Sequence, residues 1–154
     1  MFCYQILIEY VGTSFLGWQI QSKGKTIQGS IQKKLSKLLK EKITIIGSGR
    51  TDAGVHAIEQ SAHFYCKKKI YDLKKFFKSL NYFLNKDQIA ILKIKKRNNN
   101  FHARFSAKMR TYKYIIFNQS SEPVLEKDRG WFVVKNLDLD SMKSAARKLI
   151  GKKD

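Results

Sequence analysis

Eleven residues, Gly47-Ser48-Gly49-Arg50-Thr51-Asp52-Ala53-Gly54-Val55-His56-Ala57, constrain this chain more than any other stretch. They crowd glycines, a carboxylate and a cation between two apolar runs. Before them, Ile43-Thr44-Ile45-Ile46 reads as a buried strand. After them, Ile58, Ala62, Phe64 and Cys66 alternate loosely with Glu59, Gln60, Ser61, His63 and Tyr65 and read as another. Gly47, Gly49 and Gly54 let the backbone turn tightly and come close to a ligand. Asp52 is therefore expected at a fixed, exposed turn, and Arg50, two residues away, favours its ionised form. A nucleophile or base is one reading. A hairpin turn whose Asp caps backbone N–H groups is the other, and chemistry alone favours it. His56, beside an apolar strand, reads as packed and hydrogen-bonded rather than catalytic.

At 154 residues the chain can bury one core. Its 43% hydrophobic and 12% aromatic content excludes a disordered chain. The formal charge of +19 attracts polyanions and makes nucleic acid the leading partner class. Membrane binding is not expected, because neither a bilayer-length apolar run nor a basic amphipathic helix with a wide apolar face is visible. Met1 to Tyr10 carries Glu9 and lacks a basic leader, so a cytoplasmic protein is expected. Cys3 and Cys66 fall in apparent strands without metal-ligand spacing and read as buried free thiols.

Taken in order, Phe2–Val11 reads as a strand rich in β-branched and aromatic residues. Gly12–Gln19 follows as a loop in which Phe15 and Trp18 either pin the loop to the core or offer an edge for stacking bases. Thr26 caps a helix with Ile27, Ile31, Leu35, Leu38 and Leu39 on one face; Lys33, Lys34, Lys37 and Lys40 lie on the other. Leu73, Phe76, Phe77, Leu80, Phe83 and Leu84 mark a second helix, and Ile89–Ile94 a fourth strand. The order β-α-β-β-α-β predicts a ferredoxin-like α+β unit in which Asp52 lies at the hairpin between the middle strands. Beyond a polar turn at Arg97–Asn100, Met109–Phe117 reads as a strand with Arg110, Tyr112, Tyr114 and Ile116 on one face. That face is either a stacking and phosphate-contacting surface or an ordinary sheet rim. Trp131–Val134 reads as a further strand, and Asp138 or Asp140 begins a last helix.

Gly49-Arg50-Thr51-Asp52-Ala53-Gly54-Val55-His56-Ala57 resembles the signature loop of the tRNA pseudouridine synthase A family. The stretch Tyr10–Gln21 is similar to that family's Y-D-G-T-x-F-x-G-W-Q-x-Q pattern, with Val11 where an acid is usual. Phe101-His102-Ala103-Arg104-Phe105-Ser106-Ala107, followed by Arg110, Tyr112 and Tyr114, resembles its F-H-A-R-F-S-A…R-x-Y-x-Y motif. The resemblance implies half of a pseudouridine synthase fold: the ferredoxin-like unit extended by further antiparallel strands and a C-terminal helix, residues 1–154 forming one catalytic-loop domain. It implies isomerisation of uridine to pseudouridine in the anticodon arm of tRNA, with no metal or cofactor, and a homodimer. Asp52 takes the catalytic position. Tyr112 is the expected stacking residue for the flipped uracil; Arg104 is a candidate wedge or phosphate clamp, and Arg50 is expected to orient Asp52 or bind the flanking phosphate. Phe101, His102, Ala103, Arg104, Phe105 and Arg110 are expected against the RNA. Leu149–Asp154 is similar to the family's L-x-G-x-H-D segment, with Lys153 in place of the histidine. That segment lies in mid-protein in the family, so a truncated form lacking the second half is expected, weak or inactive alone. A non-catalytic RNA-binding fragment is the alternative.

Overall fold

The computed structural model describes residues 1–152, so the expected Lys153 position lies outside the described residues. Backbone contacts divide the chain into two units, Met1–Arg110 and Thr111–Asp154.

In the first unit, β1 (Phe2–Tyr10), β2 (Ile45–Gly47), β3 (Ala57–Cys66) and β4 (Ile89–Arg97) form one antiparallel sheet in the order β2-β3-β1-β4. With α1 (Ile27–Leu39) and α2 (Leu73–Leu84) between strands, this is the expected ferredoxin-like α+β arrangement. Strand alternation sends Tyr4, Ile6, Ile8 and Tyr10 of β1, and Ala62, Phe64 and Cys66 of β3, to one face. There they meet Ile27, Ile31 and Leu35 of α1 and Leu80 and Leu84 of α2 in a single core. The other face carries Gln5, Ser61, His63, Tyr65 and Arg97. It is tied crosswise, Arg97 Nε donating to Gln5 Oε1 at 2.7 Å and Gln5 Nε2 to Ser61 Oγ at 2.8 Å.

Local chemistry sets the ends of the elements. Thr26 accepts the Gly29 N–H and starts α1, as its sequence suggests. Asp72 does the same for α2 through the Lys75 N–H. Strand β2 begins two residues later than expected. Ser36 Oγ and Gln32 Oε1, both on α1, accept the Ile43 and Ile45 N–H groups and hold this entry against the helix. Ile58, expected inside, is 76% exposed. The β1–β3 register slips between Ile8 and Tyr10, and a bulge there turns the far end of β3 out of step. Cys3 and Cys66 are buried free thiols, and burial pushes the Cys66 thiol up to about 11.

The second unit differs from expectation. Of the expected strand at Met109–Phe117, only Ile116 and Phe117 are in a strand, β5 (Ile116–Asn118). It pairs in parallel with β6 (Trp131–Val133) and does not add an antiparallel strand to the larger sheet. A β-prone sequence becomes a strand only where another backbone completes its ladder, and among the described residues 107–114 pair with no strand. Arg110, Tyr112 and Tyr114 therefore share no strand face. Asn118 holds the small pair together, its Nδ2 donating to the Val133 and Lys135 carbonyls at 2.9 Å each. Asp138 caps α3 (Leu139–Arg147), accepting from the Asp140 and Ser141 N–H groups. Hydrogen bonds from Ser141 hold the Asp138 carboxyl below its usual range.

Candidate active site

The β2–β3 connection is gripped by the Gly12–Trp18 loop. Trp18 N–H donates to the Thr51 carbonyl at 2.9 Å, and Gly54 N–H to the Phe15 carbonyl at 3.3 Å. Gly12 N–H donates to His56 Nδ1 at 3.1 Å. The two loops approach so closely that side chains would collide. A Cβ on Gly12 would lie 2.0 Å from the Val55 oxygen, and one on Gly17 2.5 Å from the Thr51 oxygen. A Cβ on Gly47 would lie 2.7 Å from the Trp18 ring. Phe15 and Trp18 are each 3% exposed. Of their two readings, pinning the loop to the core is the one the structure bears out.

Beneath the connection, Tyr10 Oη bonds Thr51 Oγ1 at 2.8 Å and donates to Gln60 Oε1 at 3.3 Å. Gln60 Nε2 in turn donates to the Gly49 carbonyl at 3.0 Å. Burial raises the Tyr10 phenol above its ordinary value, so it stays a neutral donor. Asp52 is thus fixed through its backbone neighbours while its own side chain is exposed. Its carbonyl accepts the Val55 N–H at 3.3 Å in a tight turn. Among the described residues, no ion pair or side-chain hydrogen bond engages its carboxylate. It opens on a concavity of about 300 Å³ lined by Leu16, Gln19, Gln21, Arg50, Thr51, Asp52 and Ala53. Arg50 shares the concavity without forming an ion pair to Asp52. A rigid backbone presenting a bare carboxylate to an open depression can deliver a nucleophile or base to a ligand that brings its own shape.

The second motif reaches the same loop. Arg110 Nη2 and Nε donate to the Ser48 carbonyl at 2.8 and 3.2 Å, and Nη2 also reaches the Arg104 carbonyl at 3.5 Å. Arg110 thereby ties the Phe101–Phe105 turn to the root of the Asp52 loop. Ala103 is buried, while Arg104 is exposed and Phe105 is 80% exposed. Phe105 stacks on His102 at 4.3 Å, and Phe101 lies under the Arg97 guanidinium at 5.1 Å. Lys93 and Lys95 share the solvent side of β4 with Arg97, and Lys93 holds the Lys95 ammonium below its usual value. Among the described residues no ion pair engages Lys93, Lys95 or Arg97, and this positive surface fits a polyanion.

A family model described as tRNA pseudouridine synthase matches residues 6–106, which span β1 to the Phe101–Phe105 turn. The chain belongs to the tRNA pseudouridine synthase family. The tRNA pseudouridine synthase A of Pelagibacter ubique (strain HTCC1062) is 66% identical over the whole chain. Those of Neorickettsia sennetsu (strain ATCC VR-367 / Miyayama) and Anaplasma marginale (strain Florida) are 41% and 40% identical over 98% and 97% of it. The chain spans 63%, 62% and 61% of these three relatives' lengths.

Within this family member Asp52 and Arg50 line one concavity, and Arg110 joins the Ser48 carbonyl at the root of their loop to the Arg104 carbonyl. Tyr112 lies in the second unit and is 68% exposed. Sequence reasoning missed the supports: Tyr10, Thr51 and Gln60 beneath the loop, and Leu16, Gln19 and Gln21 around the concavity. Leu16, Gln19 and Gln21 fall inside the Tyr10–Gln21 stretch that resembles the family's pattern, but the resemblance gave them no role.

Proposed function

We propose that this chain supplies the catalytic loop of a tRNA pseudouridine synthase, residues 1–154 acting as its catalytic-loop domain. The substrate is a uridine in the anticodon arm. The observation that carries this reading is a bare Asp52 carboxylate on a loop immobilised by Tyr10, Trp18 and Gln60, in a family whose reaction needs such a group. Uridine becomes pseudouridine by breaking the bond from the ribose to the uracil nitrogen and forming one to a uracil carbon. Atoms are conserved, and a proton leaves that carbon while another returns to the nitrogen. Asp52 acts as the nucleophile that detaches the base and holds its partner until it has turned.

The remaining roles follow from chemistry and placement. The target uridine is flipped out of its stack, which costs a few kcal/mol. Tyr112 stacks on the extruded uracil. Arg50 binds the phosphate flanking Asp52, and Arg104 clamps the backbone with a planar fork that a lysine lacks. Phe101, His102, Ala103, Phe105 and Arg110 form the surface against which the RNA lies. No cofactor or metal takes part in this reading. Two copies grip one tRNA, and the enzyme works in the cytoplasm. No helix among the described residues is long and apolar enough to cross a membrane.

A second reading, RNA binding without turnover by this chain alone, is favoured by the absence of a cationic partner for Asp52 among the described residues. One experiment separates the two: pseudouridine formation and binding on an unmodified tRNA transcript, wild type beside Asp52→Ala. The first reading predicts that the variant loses turnover at least a thousandfold, on the order of a missing nucleophile, and binds nearly as wild type. Binding by both without turnover by either supports the second reading.

A further inference from the structure

Among the described residues, one buried polar side chain is left incompletely bonded. His63 on β3 is fully buried on the sheet face opposite the core. Its Nδ1 accepts the Ala103 N–H at 3.1 Å. Its Nε2 has no hydrogen-bond partner among the described residues. The ring is boxed by Tyr65 at 5.4 Å, Phe101 at 5.8 Å and His102 at 4.8 Å, each edge-on or steeply tilted. His102 repeats the arrangement closer to solvent, its Nδ1 accepting the Phe105 N–H at 3.4 Å.

We propose that His63 is a positioning residue: by accepting the Ala103 N–H it pins the Phe101–Phe105 turn to the sheet, and it does so only as the neutral imidazole. A backbone N–H can only donate, so a proton on Nδ1 sets two donors against each other and breaks the pin. It also places a cation in an aromatic box closed to water. The surroundings oppose that cation. His102 touches the ring, Arg97 lies over Phe101, and Lys95 stands across β1 opposite Gln5, the register partner of His63. Tyr65 faces the ring as a neutral phenol, its own value raised by burial. No carboxylate forms an ion pair with His63 among the described residues. Burial first, and His102 second, hold His63 below its ordinary value; the Ile46 backbone opposes them weakly, without hydrogen-bond geometry to Nε2. The pin is therefore at full strength above pH about 6.5 and is lost as the pH falls through the depressed value.

The functional consequence rests on the reading proposed above: the pinned turn presents Arg104 and Phe105 to RNA, so acid loosens the grip on tRNA. The pin itself can be tested without RNA. Amide hydrogen exchange at Ala103, corrected for the intrinsic rate, is measured between pH about 7.5 and about 5 in wild type, His63→Asn and His63→Phe. Asparagine keeps an acceptor near Nδ1 that does not titrate; phenylalanine keeps the ring and loses the acceptor. The expected result is an acid-induced loss of Ala103 protection of about tenfold in wild type. Little change is expected in His63→Asn, and low protection throughout in His63→Phe. Amides of Ile6 and Ile8 in the same samples report whether the sheet remains folded. Identical pH responses in wild type and His63→Asn would overturn the proposal, whether or not His63→Phe folds. So would wild-type protection in a folded His63→Phe. If exchange behaves as stated but tRNA binding weakens equally with acid in wild type and His63→Asn, the pin stands and the RNA-facing role of this turn fails.

Discussion

Met1–Arg110 and Thr111–Asp154 solve the same problem of burying apolar side chains with opposite success. In the first unit each helix has a sheet beneath it, and Ile6, Ile31, Leu35, Phe64 and Leu80 are completely buried. In the second, none of residues 111–152 is buried, and Leu139, Met142, Leu149 and Ile150 stand exposed. Both units have well-capped helices, through Thr26 and Asp72 in one and Asp138 in the other. Caps and periodicity therefore form a helix in either place, but only a facing apolar layer converts it into stability. The Asp52 loop belongs to the unit that has such a layer.

The largest test of this contrast is a pair of truncations. Leu35→Ala removes a fully buried side chain and should cost about 2–5 kcal/mol in denaturant unfolding. Leu139→Ala removes an exposed one and should stay within about 0.5 kcal/mol. Equal losses would break the comparison. Next comes Gly47→Ala, whose new Cβ meets the Trp18 ring. Overpacking of this kind should destabilise the first unit by about 1–3 kcal/mol and raise exchange at the Trp18 and Gly54 amides that lock the two loops. The smallest effect is chemical. The Cys66 thiol, raised to about 11, should alkylate at pH about 8.5 more than tenfold slower than in the unfolded chain. Because the fold favours the neutral thiol, this contribution to stability is full below pH about 9 and fades as pH rises through about 11. Fast alkylation would mean that the first unit opens readily.

What the sequence made legible follows the same division. The four strands, two helices and hairpin position of Asp52 were readable because each apolar period in 1–97 has a partner that enforces it. Ile58 was misread because a bulge in β1–β3 pairing leaves no trace in alternation. Met109–Phe117 was misread because β-propensity is local while a ladder is not, and Arg110 spends its side chain on the Ser48 carbonyl. Glycines in the two loops announced close approach. They did not say that Gly12 and Gly17 press on the backbone of residues 51–55, a contact between segments some forty residues apart. The supports of the site, Tyr10, Gln60 and His63, looked like ordinary strand residues and acquire meaning only from what lies across them.

The most direct test of the account is the thermal unfolding of residues 1–110 alone, followed by circular dichroism beside the full chain. A unit that builds its own core should unfold cooperatively, with a midpoint within about 5 °C of the full chain, the shift expected for about 1 kcal/mol. A shorter chain that shows no cooperative transition would contradict the claim that the unit holding Asp52 is self-sufficient.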